Sequence, residues 1–190
     1  LLDNIKYIFG HGSNITHRLD YETSGLVIAS KNKKAEAKIK CMFEQREIKK
    51  RYLALLQGDL KKKIEIRTFI EKQSIDGNIK IKQNIADDGK EAISIFEPVE
   101  YIERINGSLV RVSPLTGRLH QIRLHAAHIG MPIFGEPIYG NSECIAQNYL
   151  DKLLTPEERI IQTKASRVCL QADELEFVYE ASGDLGAPIP

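Results

Sequence analysis

Apolar residues follow two rhythms along this chain. Leu26-Val27-Ile28-Ala29 is a short continuous run just after Gly25, and it predicts a strand at the end of a turn-and-loop segment over 15–30. Farther on, Ala35, Ile39, Met42 and Phe43 recur at the spacing of one helical face, predicting an amphipathic helix over about Asn32 to Gln45. Ile48 to Leu56 returns to a strand pattern that ends at Gly58-Asp59. Several more strands are expected between Lys61 and Glu103, with hairpin turns at Asp76-Gly77-Asn78 and Asp87-Asp88-Gly89. Leu109 to Val112 is a further strand. Thr116-Gly117 opens a second helix, Arg118 to Ile129, with Leu119, Ile122, Ala126 and Ile129 as its apolar stripe and Gly130 as its C-cap. Met131-Pro132 and Glu136-Pro137 impose irregular structure. A short helix is expected near Pro156 to Ile161, and Arg167 to Ala172 and Leu175 to Tyr179 read as two closing strands. No repeat is visible. Strands in clusters with few helices indicate an α+β fold on a mixed, mostly antiparallel sheet.

Composition narrows the picture only slightly. The chain has 190 residues, enough for one domain with a core that needs no disulfides. No apolar run is long enough to span a membrane, and the opening LLDNIKYIFG lacks the pattern of a secretory leader. Cys41, Cys144 and Cys169 form no CxxC pair, which fits a reducing compartment and buried or bland thiols. A cytoplasmic monomer is the expectation. Net charge is only +1, so any nucleic-acid site must come from local patches such as Lys31 to Lys34, Lys49-Lys50-Arg51 or Lys61-Lys62-Lys63. Each of these patches also reads as solvated surface.

Three segments carry candidate chemistry. His17-Arg18-Leu19-Asp20-Tyr21-Glu22-Thr23-Ser24-Gly25 packs a His, an Arg, two acids and two hydroxyls into a loop before an apolar strand. Taken alone, it reads more readily as a polar turn with local caps. In the second helix Arg118 and Arg123 stand on opposite borders of the apolar stripe, and an arginine so close to a core needs an acceptor. Asp20 and Glu22 are candidate partners, although both arginines can also lay their stems along the surface. In Lys49-Lys50-Arg51-Tyr52-Leu53, Tyr52 faces away from its two neighbours, either as a rim residue of the core or as a stacking platform for a base. Two rival constellations lack their signatures. His120, His125 and His128 crowd one helix without an HExxH, and Ser24, His17 and Asp20 lie close together without a GxSxG elbow.

Together these segments resemble the RluA-type pseudouridine synthases. HRLDYETSGLVIASK is similar to that family's active-site motif, KKRYLALLQG to its second, and TGRLHQIRLHAAHIGMPIFGEPIYG to its third, in the same order. RVCLQADELEF resembles the closing strands. The resemblance implies a pseudouridine synthase fold and a catalytic domain over 1–190, lacking the family's early Lys-Pro-x-Gly segment and its small RNA-binding domain. It implies an enzyme that isomerises uridines in ribosomal or transfer RNA. Asp20 corresponds to the catalytic aspartate, Tyr52 to the tyrosine that stacks on the target base, and Arg123 to the arginine paired with the aspartate. Arg18 corresponds to an arginine that fills the space of a flipped base, while Arg118, His120 and Gln121 are expected to help hold RNA. A pair between Asp20 and Arg123 is expected to favour the charged carboxylate. No metal or cofactor is expected. The alternative is a non-catalytic RNA-binding module on the same fold.

Overall fold

The computed structural model describes residues 1–72 and 81–180. Helix α1 (Leu2–Phe9) leads into three two-residue strands, β1 (Asn14–Ile15), β2 (Ser24–Gly25) and β3 (Ala29–Ser30). Helix α2 (Lys33–Glu44) is followed by strands β4 (Lys49–Gln57), β5 (Ile64–Lys72), β6 (Gln83–Ile85) and β7 (Lys90–Ile102). A single 3-10 turn, Glu103–Ile105, then gives way to β8 (Gly107–Pro114), α3 (Gln121–His128), α4 (Glu143–Leu150), α5 (Pro156–Thr163) and β9 (Leu170–Glu176). The main sheet runs β2-β9-β4-β8-β7-β5-β6, antiparallel throughout except for the parallel β2–β9 pair, so the α+β class and the mixed sheet are as expected.

Strand alternation decides which face is covered. Ala54 and Leu56 of β4, Ile66 of β5, Phe96 of β7 and Val110 and Val112 of β8 share one face, and Ile122 and Ala126 of α3 pack among them. Burying a side chain of this size contributes about 1.5–3 kcal/mol, so Phe96 and Leu56, both without exposed surface, anchor the sheet to α3. A smaller cluster joins Ile39 and Met42 of α2 to Ile48, with Phe43, Leu175 and Phe177 at its edge. The Asn32 side chain caps α2 by accepting from the Ala35 amide at 2.9 Å.

Several expectations change. The second helix starts three residues late, at Gln121, with His120 in the left-handed region at φ 54°. The Gln121 side-chain carbonyl accepts from the Arg118 amide at 3.0 Å and from Thr116 Oγ1 at 2.7 Å. Those bonds hold 116–120 as a turn and leave Leu119 40% exposed, outside the apolar stripe. Gly130 does end this helix. Its amide bonds to the Ala127 carbonyl and that of Met131 to the Ala126 carbonyl, a Schellman pair. The two closing strands are one, β9, with Asp173 left over as a bulge opposite Arg51 and Tyr52 of β4. That extra residue breaks the period-two pattern, which in the sequence reads as a strand end.

The Asp87-Asp88-Gly89 turn exists, but it is no hairpin, because both strands it joins pair with β5. Asp76-Gly77-Asn78 lies outside the described residues. Helices α1 and α4 were not expected from the pattern. The thiols are not buried: Cys41 and Cys144 are exposed and Cys169 is half-buried, all unpaired. No helix among the described residues is long and apolar enough to cross a membrane.

Candidate active site

The loop that carries Asp20 is closed at its neck. Thr16 Oγ1 donates to the Ile28 carbonyl at 2.7 Å, and the Ile28 amide donates to His17 Nε2 at 2.9 Å. His17 therefore works as a clasp, its ring against Phe43 at 4.7 Å, and it is not set to take a proton from Ser24. Burial and then the nearby Lys50 lower its pKa. Beyond Asp20 the chain turns, the Thr23 amide bonding back to the Asp20 carbonyl at 3.0 Å. It then joins the sheet through Ser24 and Gly25, which pair in parallel with Gln171 and Ala172. Gly25 stands at φ 117°, and a β-carbon there would lie 2.1 Å from the Ala172 carbonyl oxygen, so only glycine fits this crossing.

Glu22, two residues past Asp20, is anchored to the opposite side. It accepts hydrogen bonds from Arg159 of α5, from the Tyr149 hydroxyl at 2.8 Å and from the Val168 amide at 3.0 Å. Burial alone would raise its pKa, but Arg159 and the other donors outweigh this and hold it low. Arg159 is in turn placed by the cap of α5. Thr155 and Glu158 form a capping box there, with Pro156 in the first turn.

Asp20 itself faces a cleft of about 440 Å³ shared with Tyr52, His120, Arg18, Lys50 and Arg118. Arg123 stands behind it, Nη1 to Oδ2 at 3.9 Å. The expected pair is present but is not the main engagement of Arg123. That is Glu136, bound through Nε at 2.6 Å and Nη2 at 2.8 Å, with its Oε1 also accepting from the amides of Ile138 and Tyr139. Burial opposes the charge on Arg123, but the Glu136 hydrogen bonds overturn this and its pKa rises. The guanidinium is thus fixed by one carboxylate and offers a free edge to a second.

For Asp20 the balance runs opposite to expectation. Burial raises its pKa, and the charges of Arg123 and then Arg18 only partly counter that. The pair with Arg123 pulls toward the carboxylate, as expected, yet desolvation wins. Tyr52 lies on the core face of β4, and burial followed by the Asp20 charge pushes its hydroxyl up to about 12, so the ring stays a neutral phenol.

The other expected RNA contacts divide. Arg18 and Arg118 line both this cleft and an adjoining groove of about 770 Å³. His120 also lines the cleft, but burial, then Arg123 and Arg18, lower its pKa to about 3. Its Nδ1 lies 2.9 Å from the Tyr139 hydroxyl, which already accepts from the Gln83 amide at 3.0 Å. A neutral His120 brings no positive charge to the cleft, and when Nδ1 accepts the Tyr139 proton its Nε2–H is left to donate. Gln121 departs further from expectation. Its amide nitrogen is committed to the Ile93 carbonyl at 3.0 Å and to Ser94 Oγ at 2.8 Å, and its oxygen to Thr116 and Arg118. It shapes the cleft wall from behind and is 4% exposed. His125 is buried against Thr68 at 2.9 Å, away from Asp20 and Glu22. Glu136 and Arg159 were not anticipated; the unmet need of Arg123 for an acceptor was the one available signal.

The sequence profile described as RNA pseudouridylate synthase matches residues 11–128. An uncharacterized RNA pseudouridine synthase of Helicobacter pylori (strain J99 / ATCC 700824) is 38% identical over 192 residues, covering 100% of this chain and 63% of that protein. The dual-specificity RNA pseudouridine synthase RluA of Haemophilus ducreyi (strain 35000HP / ATCC 700724) is 34% identical over 171 residues, covering 89% of this chain and 69% of that protein. Among solved structures, Human RNA Pseudouridylate Synthase Domain Containing 1 matches the fold with a TM-score of 0.67 at 24% identity, over 90% of this chain and 66% of that one. The chain belongs to the RNA pseudouridylate synthase family and, within it, to the RluA type. It spans 63% of the length of the Helicobacter relative.

Proposed function

We propose that the protein isomerises uridine to pseudouridine in RNA, with residues 1–190 as its catalytic domain. The observation that carries this is that Asp20 and Tyr52, from distant segments, line one cleft, with Arg123 behind Asp20 at 3.9 Å. In the reaction the N1–C1′ bond of the uridine breaks and a C5–C1′ bond forms. C5 loses a proton and N1 gains one, so no redox equivalent is consumed. The uridine must first leave its stack, at a cost of a few kcal/mol. Stacking on the Tyr52 ring returns about 1–3 kcal/mol of that. Asp20 acts on the extruded nucleotide as nucleophile or base, and Arg123, immobilised by Glu136, steadies its carboxylate. Arg18 fills the vacated space in the stack, Arg118 contacts RNA, and His120 donates a neutral hydrogen bond.

Ribosomal or transfer RNA is the proposed substrate, with the protein acting as a cytoplasmic monomer. The dual specificity in the name of the Haemophilus relative supports more than one target. The test is conversion of uridine to pseudouridine by the full-length protein on cellular RNA, mapped with and without the gene. Asp20→Asn is expected to abolish conversion while RNA binding persists. Wild-type turnover in that variant sinks the assignment.

A further inference from the structure

Lys49, Lys50 and Arg51 read alike in the sequence but meet different fates. Lys49 bonds Glu176 at 2.8 Å and Arg51 bonds Glu174 at 2.5 Å, both across the β4–β9 pair. Lys50 points to the other face, the one that carries Tyr52, and among the described residues it has neither an ion pair nor a hydrogen-bonded partner. Its ammonium rests against the turn before α3, where a β-carbon on Gly117 would lie 3.3 Å from Nζ. Burial lowers its pKa with no acid opposing the shift. A partly desolvated cation without a counter-ion destabilises the fold that holds it.

Its position gives that cost a purpose. Lys50, Arg18 and Arg118 line both the Asp20 cleft and the adjoining groove, so they stand where one opens into the other. Arg118 is fixed there by its Nε, which donates to the Glu91 carbonyl at 3.0 Å and leaves its terminal nitrogens uncommitted. Three cations at one passage in a chain of net charge +1 are a local concentration of positive charge.

We propose that Lys50, with Arg118 beside it, binds the phosphodiester of the target nucleotide where the RNA strand passes from the groove into the cleft, leaving Arg18 at the same passage for the vacated stack. This rests on reading the cleft as the pocket for an extruded uridine. A phosphodiester supplies the negative charge that the protein withholds from Lys50, so the lysine is destabilising in the free protein and satisfied in the complex. Lysine suits the role because it acts as a point charge and tolerates a range of phosphate positions.

The test uses the full-length protein carrying Asp20→Asn, so that no turnover intervenes, with a uridine-loop hairpin RNA as probe. Affinity is measured against salt concentration for this protein, for its Lys50→Met derivative and for a Lys63→Met control. Lys63 lines neither cavity and pairs with Glu97 at 3.2 Å. The expected result is a salt slope smaller by about one for Lys50→Met alone, as for the loss of one phosphate contact. Its melting temperature should hold or rise, which a structural lysine would not show. An unchanged slope, or a lower melting temperature with RNA affinity intact, overturns the proposal. A third arm titrates inorganic phosphate. Stabilisation by phosphate that is lost in Lys50→Met, with the RNA slope unchanged, makes this a free-anion site and also overturns it. If the slope falls but full-length protein with Asp20 intact forms no pseudouridine in cellular RNA, the phosphate site stands and the catalytic reading falls.

Discussion

Asp20 and Glu22 are two acids in one loop, and the protein treats them in opposite ways. Glu22 is saturated: Arg159, Tyr149 and the Val168 amide surround it, and its pKa is held down. Asp20 is kept short of partners: it faces the cleft, its arginine is committed first to Glu136, and burial pushes its pKa up. Glu22 ties the loop down, while Asp20 is left facing the cleft with few partners. A carboxylate satisfied by several hydrogen bonds is a poor nucleophile or base, while one left under-solvated has free energy to gain from substrate.

The sharpest break in this comparison is Asp20→Asn. Activity is expected to fall by about 10²–10⁴-fold or more, read as pseudouridine formed per unit time. Its stability should move the other way. Because the folded pKa of Asp20 lies above its unfolded value, its ionisation costs stability as pH rises through that interval. The asparagine variant should therefore melt no lower than wild type at neutral pH.

Next in size is Glu136→Ala, which strands the buried Arg123. A loss of about 3–5 kcal/mol is expected in a denaturant titration, and a loss below about 1 kcal/mol would show that Asp20 or water takes over as partner. Glu22→Gln should cost less, about 2–3 kcal/mol, because its pair with Arg159 is 12–13% exposed. Its pH signature is specific. The folded pKa of Glu22 is depressed, so its contribution is complete above the unfolded pKa and disappears as pH falls through the folded one. Melts at neutral pH should separate the variant from wild type, and melts in strong acid should bring the two together. The smallest effect is Thr155→Ala, expected to cost about 1 kcal/mol by opening the capping box that places Arg159. A catalytic loss larger than the stability loss in that variant would show that α5 tunes Asp20 as well as anchoring Glu22.

The core was legible because burial follows period. The face of β4 with Ala54 and Leu56, the α2 stripe around Ile39 and Met42, and the Gly130 cap are each local patterns that packing respects. Asp20, Tyr52 and Arg123 stood out as residue types, and the resemblance to a family tied them together. The hidden part is the supporting set. Arg159 lies 137 residues from Glu22, and Glu136 sits in a Pro-rich stretch with no periodicity. Asp173 disguised one strand as two, because a single unpaired residue reverses the alternation that identifies a strand. Gln121 was hard to read for a related reason: a polar residue on a site helix reads as a ligand contact, and its four internal bonds emerge only from the fold.

The parallel pairing of β2 with β9 bears on when the site comes into being. The Val168 amide that holds Glu22 is separated from it by 146 residues, and Gly25 crosses Ala172 farther still along the chain. At synthesis rates of about 5–20 residues per second, the Asp20 loop waits about seven to thirty seconds for the strand that shapes it. Contacts of such separation close late in folding, after the local helices and the β7–β8 hairpin. A nascent chain of this protein thus carries Asp20 on the ribosome with its loop still unmade, and the cleft that Asp20 faces takes shape only once β9 docks.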